Sequence, residues 1–265
     1  MKTVSVTNQK GGVGKTTTSV NLAAAMVSVR RRVLLIDLDP QGNATMGSGV
    51  DKRTVEYTTA QVLLQEAAAP ECIIRGCKGG YDLMPGNEAL TVAEVRLLEL
   101  EQREYRLRGA LRGALGAQYD YVFIDCPPSL NMLTLNGLVA ADSVIIPTQC
   151  EYYALEGLSA LMQTIERVRQ SANPGLRIEG LLRTMFDSRN NLANDVSTQL
   201  TSHFGESVYR TIIPRNVTLA EAPSHGLPVL LYDERSRGAL AYLNLASELL
   251  QRNGDTGVPE PRVQG

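Results

Sequence analysis

Two kinds of hydrophobic pattern alternate along the chain. Three short runs, Val33–Asp37, Tyr121–Asp125 and residues 143–147, are apolar almost throughout, which is typical of strands buried on both faces of a parallel sheet. Further strands are predicted at residues 2–8, 176–183 and 208–213. Apolar residues at helical spacing predict helices at residues 16–29, 59–68, 88–116, 130–140, 155–170, 192–204 and 236–252, the third of them broken near residues 103–108.

This alternation of strands and helices predicts an α/β fold, a doubly wound and mostly parallel sheet flanked by helices. No internal repeat or linker divides the chain, so residues 1–252 are expected to form a single domain. Residues 253–265 carry glycine, proline and charge but little apolar surface, which predicts a disordered tail.

Composition narrows the class of protein without choosing a function. With 43% hydrophobic and 20% charged residues, the chain resembles an ordinary soluble protein, and it lacks the apolar run of about 18 residues that a transmembrane helix needs. A formal net charge of −2 argues against a uniformly basic nucleic-acid binder but leaves room for a local basic patch. Four scattered cysteines and two histidines disfavour a zinc site and favour the reduced thiols of a cytoplasmic protein.

The most specific chemical signal follows the first predicted strand. Residues 11–16 read Gly-Gly-Val-Gly-Lys-Thr, and a helix is predicted to begin there. Glycines let backbone N–H groups curl around a phosphate, and the helix N-terminus adds partial positive charge. Lys15 would neutralise the β- and γ-phosphates of a nucleotide, and Thr16 would place a hydroxyl on Mg²⁺. This strand–loop–helix pattern therefore predicts a phosphate-binding loop.

The generic phosphate-loop pattern G-x-x-x-x-G-K-[ST] fails here by one residue, because Gln9 occupies its first glycine position. A Lys-Gly-Gly-x-x-Lys-Thr sequence fits instead, with an extra lysine at Lys10. That arrangement is the deviant Walker A motif. Residues assigned to nucleotide binding on this basis are Gly11, Gly12, Val13, Gly14, Lys15, Thr16 and Thr17.

Acidic residues close two of the predicted strands. Asp125 ends the apolar run that begins at Tyr121, where a carboxylate would hold Mg²⁺ directly or through water. Asp37 and Asp39 follow the second strand, where a carboxylate could orient the attacking water or contact the water shell of the metal. We therefore predict Thr16, Asp39 and Asp125 as the metal site.

Several sequence blocks together resemble the ParA/Soj-type chromosome and plasmid partitioning ATPases of the MinD/ParA superfamily. They are residues 8–18 around the deviant Walker A motif, 37–45 (Asp-Leu-Asp-Pro-Gln-Gly-Asn-Ala-Thr), 125–130 (Asp-Cys-Pro-Pro-Ser-Leu), 213–216 (Ile-Pro-Arg-Asn) and 221–226 (Glu-Ala-Pro-Ser-His-Gly). The resemblance implies a Mg²⁺-dependent ATPase with slow intrinsic turnover and an ATP-bound homodimer.

Specific roles follow from that resemblance. Lys10 would cross the dimer interface to the nucleotide phosphates of the partner, and it joins Lys15 and Asp39 as a catalytic candidate. Asp39 matches the residue credited with positioning the hydrolytic water. Pro214 and Asn216 lie in the block that contacts adenine in family members.

The resemblance also implies that ATP-bound dimers bind DNA without sequence preference and that a ParB-type partner stimulates hydrolysis. The expected location is therefore cytoplasmic and nucleoid-associated, with no membrane contact. Thr218 stands where relatives often carry a basic residue, a departure that weakens the DNA prediction. The DNA-binding candidates are Arg189, Arg215, Arg235 and Arg237, with Arg210 as a further arginine in the same half of the chain.

Other functions within the same superfamily fit the sequence less well. A MinD-like ATPase needs an amphipathic C-terminal membrane helix, and residues 253–265 show no apolar stripe. A dethiobiotin synthetase-like ligase is disfavoured by the 37–43 and 214–216 blocks, and a nitrogenase-type iron–sulfur cluster is not supported by the cysteine pattern. Only nine residues precede Lys10, which leaves no room for a helix-turn-helix. A ParA-like ATPase that positions another cargo stays an open alternative.

Overall fold

Parallel strands form the frame on which the predicted site is built. The computed structural model describes residues 1–116 and 118–255, and these contain a seven-stranded sheet in the order β3-β2-β4-β1-β5-β6-β7 with every strand pair parallel. The strands are β1 (Lys2–Val6), β2 (Val33–Asp37), β3 (Asp82–Met84), β4 (Tyr121–Asp125), β5 (Ser143–Gln149), β6 (Arg177–Phe186) and β7 (Val208–Pro214). The predicted fold class is confirmed.

Helices cover both faces of the sheet. They are α1 (Lys15–Ser28), α2 (Asn43–Gly47), α3 (Thr59–Leu64), α4 (Ala89–Leu97), α5 (Arg106–Ala114), α6 (Met132–Ala140), α7 (Ala154–Ser171), α8 (Asn191–Phe204), α9 (Val217–Glu221), α10 (Val229–Tyr232) and α11 (Arg237–Arg252). None of the helices in the described part of the chain combines the length and the apolar character that crossing a bilayer requires.

Successive side chains of each central strand enter cores on opposite faces, as the pleat of a strand dictates. Leu35 and Phe123 pack with residues of α1 and α11. Ile36 and Ile124, one position further along, pack with residues of α3, α4, α5 and α6. Burial on both sides explains why β2 and β4 are apolar throughout, and it leaves their terminal carboxylates at the carboxyl edge of the sheet.

Several predicted boundaries need correction. Strand β3 was not predicted, because Asp82–Met84 is too short to show a period. The helix predicted at residues 59–68 ends at Leu64, where Gln65 adopts a left-handed conformation with φ of 60°. Segment 88–116 is divided into α4 and α5, with the second helix beginning at Arg106, inside the predicted break.

The first residues of the predicted tail, 253–255, make contacts with the rest of the domain. The carboxylate of Asp255 accepts hydrogen bonds from the Arg31 guanidinium at 2.8 Å and from the Tyr121 hydroxyl at 3.1 Å. Asn253 donates from its amide to the Glu179 carboxylate at 3.1 Å. Residues 253–255 therefore belong to the packed part of the chain, while residues 256–265 of the predicted tail lie outside the described residues.

Candidate functional site

The position of β1 decides which residues meet at the carboxyl edge of the sheet. β1 lies between β4 and β5, so the loop that follows it emerges beside the ends of both strands. Asn8, buried at the start of this loop, donates from its side-chain amide to the Pro147 carbonyl at 2.7 Å and accepts from the Lys10 backbone N–H at 3.0 Å. Asn8 thus fixes the loop to β5.

The backbone of the glycine loop has the shape that a phosphate site needs. Gly12 and Gly14 have φ values of 73° and 85°, in the left-handed region that glycine adopts without strain. A Cβ placed on Gly11 or Gly12 would meet no atom within 4 Å, so open space adjoins the loop. Helix α1 begins at Lys15 and directs its first, unpaired N–H groups towards the loop.

Lys15 lies inside the loop rather than in solvent. Its side chain is buried, and its ammonium donates to the Lys10 carbonyl at 3.0 Å. Burial lowers the pKa of Lys15, although the nearby Asp125 carboxylate opposes that shift. A cation held at this point by a backbone carbonyl is placed to bind an entering anion.

Two hydroxyls of α1 contact the carboxylate that ends β4. Thr16 donates to one Asp125 oxygen at 2.8 Å, and Ser19 donates to the other at 2.8 Å. The two hydroxyls stand three residues apart and therefore share one face of the helix. Ser19 was not among the predicted site residues, yet its spacing from Thr16 is a signal that could have found it.

The two carboxylates that follow β2 have different environments. Asp37 is fully buried and accepts hydrogen bonds from the Thr45 hydroxyl at 2.7 Å and the Thr45 backbone N–H at 2.8 Å. Its role is therefore to hold the turn that leads into α2. Asp39 accepts from the Gln41 backbone N–H at 2.9 Å and is 7% exposed. Of the two, Asp39 is the one at the surface of the site.

These groups suit magnesium and a nucleotide phosphate chain. Carboxylate and hydroxyl oxygens are the hard ligands that Mg²⁺ prefers, and Asp125 and Thr16 supply one of each at 2.8 Å. Backbone N–H groups of the loop and the ammonium of Lys15 suit the phosphates. The assignment of Thr16, Asp39 and Asp125 to the metal stays a prediction, supported by this donor set.

Lys10 takes part in a contact that the sequence did not predict. Its ammonium pairs with the carboxylate of Glu151, at the end of β5, and both side chains are nearly half exposed. Two exposed tyrosines follow directly, Tyr152 and Tyr153, whose rings pack edge to face with centroids 5.0 Å apart. Lys10 therefore lies within a patch of exposed charge and aromatic surface formed by residues 151–153.

The residues predicted to contact adenine lie at the end of β7. Asn216 caps α9 by accepting from the Leu219 backbone N–H at 3.2 Å, so its side-chain oxygen is committed to the fold. The adenine role of Pro214 and Asn216 stays a prediction.

Four arginines surround one cleft between β7, α11 and the loop that follows β6. This arginine cleft has a volume of about 880 Å³. Its arginines, all exposed, are Arg189, Arg210, Arg215 and Arg237. The acidic residue Asp187 shares the cleft and binds Arg189 through hydrogen bonds of 2.9 and 2.8 Å.

Arg235, another DNA-binding candidate, lies elsewhere. It lines a separate cavity of about 650 Å³ between α1 and α11, together with Lys78 and Glu234. Arg235 lies in the turn that precedes α11, outside the helix, whereas Arg237 is the first residue of α11 and lines the arginine cleft. Three of the four predicted DNA-binding candidates therefore share a surface.

Comparison with known proteins identifies the family. A model described as an AAA domain matches residues 1–178. The sporulation initiation inhibitor protein Soj of Bacillus subtilis is 52% identical over 94% of this chain and 98% of its own length. The chromosome partitioning protein ParA of Myxococcus xanthus is 51% identical over 94% of this chain and 88% of its own length.

A solved structure agrees with the fold and with the ligands. A protein titled cobyrinic acid a,c-diamide synthase from Mycobacterium smegmatis, solved with an ATP analogue and magnesium, matches with a TM-score of 0.85. It is 38% identical and covers 97% of this chain and 98% of its own. Because it combines a phosphate loop carrying two lysines with 52% and 51% identity to Soj and ParA over 94% of its length, this chain belongs to the ParA/Soj family of partitioning ATPases, which bind ATP with Mg²⁺ and hydrolyse it.

Proposed function

We propose that this ATPase is a dimerising switch that binds DNA without sequence preference and drives chromosome or plasmid segregation. The observation that supports the DNA step best is the convergence of Arg189, Arg210, Arg215 and Arg237 on one cleft. The chain as a whole has a net charge of −2, so this concentration of positive charge is local. A local basic surface suits the phosphate backbone of DNA, which carries no sequence information.

Dimerisation is proposed to follow ATP binding. Lys10 stands at the surface beside Glu151 rather than inside its own phosphate loop, so its ammonium is accessible to a second molecule. A lysine delivered by the partner would add positive charge where the phosphates develop negative charge during hydrolysis. Two arginine clefts on one dimer would also double the number of phosphate contacts and so strengthen DNA binding.

The partner of this switch is proposed to be a ParB-type centromere-binding protein that stimulates hydrolysis and so releases DNA. Relatives named Soj and ParA, at 52% and 51% identity, support this assignment. The corresponding location is the cytoplasm, on the nucleoid. Adding such a partner should raise the rate of ATP hydrolysis, and a rate unaffected by partner and DNA would contradict the assignment.

DNA binding can be tested by gel retardation with ATP, with ADP and without nucleotide. We expect binding that requires ATP and that weakens steeply with salt, with the slope falling by about 0.9 for each phosphate contact removed. Arg189→Ala and Arg215→Ala should each lower the slope, whereas Arg169→Ala, an exposed arginine on α7, should not. Binding that ignores nucleotide or salt would refute the proposal.

A metabolic role is the second candidate, favoured by the 38% identity to the protein named cobyrinic acid a,c-diamide synthase. In that case the ATP site would activate a small carboxylate rather than time a dimer. DNA would then have no effect on the hydrolysis rate, and no ATP-dependent dimer would form. The higher identity to Soj, 52%, favours the partitioning role.

A MinD-like role on membranes would need an amphipathic helix with an apolar face free to meet lipid. The sequence of residues 253–265 shows no apolar stripe of this kind. Helix α11 is not available for this purpose, because Tyr242, Leu245 and Leu249 are buried in the core. We therefore expect no binding of this protein to lipid vesicles in a flotation assay with ATP.

A further inference from the structure

A short segment at the end of β6 joins the phosphate loop to the arginine cleft. Thr184 is 2% exposed, and its hydroxyl donates to the carbonyl of Val13, in the phosphate loop, at 2.8 Å. A Cβ placed on Gly14 would lie 3.8 Å from the Met185 side chain and 3.9 Å from Thr184. Both residues therefore pack directly against the loop that is predicted to receive the phosphates.

The next residues of the same segment form a wall of the cleft. Phe186, Asp187 and Arg189 all line it. The Phe186 carbonyl accepts from the Arg215 backbone N–H at 3.0 Å, which ties a second cleft arginine to this segment. A single residue, Met185, thus separates the Thr184 contact with the phosphate loop from a hydrogen bond that positions Arg215.

Met185, between the two contacts, has an unusual backbone conformation. Its φ is 49°, in the left-handed region, which is costly for a residue with a long side chain. Such a conformation persists only where the surroundings hold it. The Thr184 contact on one side and the Phe186–Arg215 contact on the other provide that restraint, so a shift of the loop would alter the segment rather than be absorbed by it.

We propose that Thr184 is a positioning residue that couples the nucleotide state of the phosphate loop to the geometry of the arginine cleft. When phosphates enter, the loop carbonyl of Val13 moves with its N–H groups, and the Thr184 hydroxyl follows it. The turn at Met185 passes this displacement to Asp187, Arg189 and Arg215. This inference rests on the proposed function, because it assumes that the cleft binds the DNA backbone.

The test compares variants that differ at one hydroxyl. Thr184→Val removes the hydroxyl at constant volume, and Thr184→Ser keeps it. The matched control is Thr148→Val, because Thr148 is also buried but donates to Ile146 within its own strand. DNA affinity is measured with saturating ATP and without nucleotide. Because ATP is saturating, a change in ATP affinity does not alter the ratio of these two DNA affinities. The dimer fraction is measured in the same buffer.

We expect Thr184→Val to reduce the ATP-dependent gain in DNA affinity by about fivefold or more, the lower end of typical coupling between sites. Thr184→Ser should restore the gain, and Thr148→Val should keep it. The proposal is overturned if Thr184→Val retains the full gain, if Thr148→Val loses as much, or if the loss only mirrors a smaller dimer fraction.

A second readout separates this inference from the DNA proposal. Hydrogen exchange of the amides of residues 186–189 should slow when ATP binds to the wild type and should respond less in Thr184→Val. If the wild type shows this response but binds no DNA, the proposed function fails and the coupling stands. Should Thr184→Val not fold, Met185→Gly serves instead, since it keeps the hydroxyl but frees the turn. An unchanged exchange response in the variant used would contradict the coupling.

Discussion

Asp37 and Asp125 lie directly opposite one another on the neighbouring strands β2 and β4, and both carboxyl groups are fully buried. Burial raises the pKa of Asp125, and the charge of Asp37 raises it further, while hydrogen bonds from Thr16 and Ser19 oppose the shift. Burial likewise raises the pKa of Asp37. Without a metal ion, the two carboxyls therefore retain a proton at a pH where ordinary aspartates have lost theirs.

We predict that binding of Mg²⁺ and ATP releases a proton from this pair, because the cation favours the charged carboxylate. Affinity for Mg·ATP should therefore rise with pH, by at most about tenfold per unit. Calorimetry at pH 6 in two buffers of different ionisation enthalpy counts the protons released. At that pH an ordinary aspartate, with a pKa near 3.9, is already deprotonated and releases almost no proton. Asp125→Asn should remove the release. Equal heats in both buffers for the wild type would contradict the prediction.

Lys15→Ala should weaken ATP binding by about 100-fold, equivalent to about 3 kcal/mol for the loss of a charged hydrogen-bond partner. The reason is that the β- and γ-phosphates would lose the cation that the loop holds at the Lys10 carbonyl. Calorimetric titration of ATP measures the change, with Lys78→Ala, an exposed lysine, as the control. An affinity equal to that of the wild type would remove Lys15 from the site.

An ion pair with Glu151 holds the Lys10 ammonium in the described structure. Glu151→Gln should free that lysine and strengthen the ATP-dependent dimer by about two- to fivefold, the range expected for an exposed ion pair. Analytical ultracentrifugation with ATP measures the dimer dissociation constant, with Glu156→Gln on α7 as the control. A weaker dimer in Glu151→Gln would mean that the carboxylate supports the interface instead.

Lys10→Ala should leave ATP binding by the monomer intact and weaken dimerisation or turnover.

Asp39→Ala should still bind ATP and dimerise but hydrolyse ATP very slowly, because its carboxylate is proposed to position the attacking water. Removing a group of this type typically slows the chemical step by about 100- to 10,000-fold. Steady-state phosphate release and size-exclusion chromatography with ATP measure the two properties on the same sample. A variant that stays monomeric with ATP would assign Asp39 to the interface or the fold rather than to the water.

Glu248, on α11, holds the edge strand β7. Its two oxygens accept from the backbone N–H groups of Arg210 and Thr211, each at 2.9 Å. Burial alone would raise the pKa of Glu248, but these hydrogen bonds and those from Arg252 and the Thr211 hydroxyl lower it below its ordinary value. Because the folded pKa is depressed, the stabilisation is present above the unfolded pKa near 4.3 and is lost as pH falls through the folded value.

Glu248→Gln should therefore lower the free energy of unfolding by about 2–3 kcal/mol at neutral pH, since hydrogen bonds to a buried charge are strong. The difference from the wild type should shrink below about pH 4, where the wild-type carboxylate is itself protonated. Urea unfolding at pH 7 and pH 4 measures both values, with exposed Glu206→Gln as the control. A difference independent of pH would show that charge is not the cause.

Much of the frame was predictable from apolar patterning, because β2 and β4 are buried on both faces and consist of continuous apolar residues. The phosphate loop was also predictable, since its spacing reflects local backbone geometry. Glu151 was not found in advance. It contacts Lys10 only because β5 lies beside β1 in the sheet, a long-range relationship between residues 141 positions apart.

Which of the DNA-binding candidates lie together could likewise not be predicted from the sequence. Arg189, Arg215 and Arg237 come from three separate elements, and only the folded chain places them around one cleft. Arg235 looked equivalent to Arg237 in sequence but lies in the turn before α11 and lines a different cavity. The sequence therefore indicated that arginines are the DNA-binding candidates, whereas the fold determines which of these arginines line the same cleft.

The exposed pair Tyr152–Tyr153 next to Glu151 is a suitable position for a fluorescent probe of dimer association. The chain contains no tryptophan, so Tyr153→Trp would introduce a single tryptophan two positions from Glu151, the ion-pair partner of the lysine that is proposed to reach the second subunit. Its ring is 68% exposed in the described structure, and a shift of emission to shorter wavelength would mark the moment when the surface is covered. Stopped-flow fluorescence could then time each association and release of the switch in a single mixing experiment.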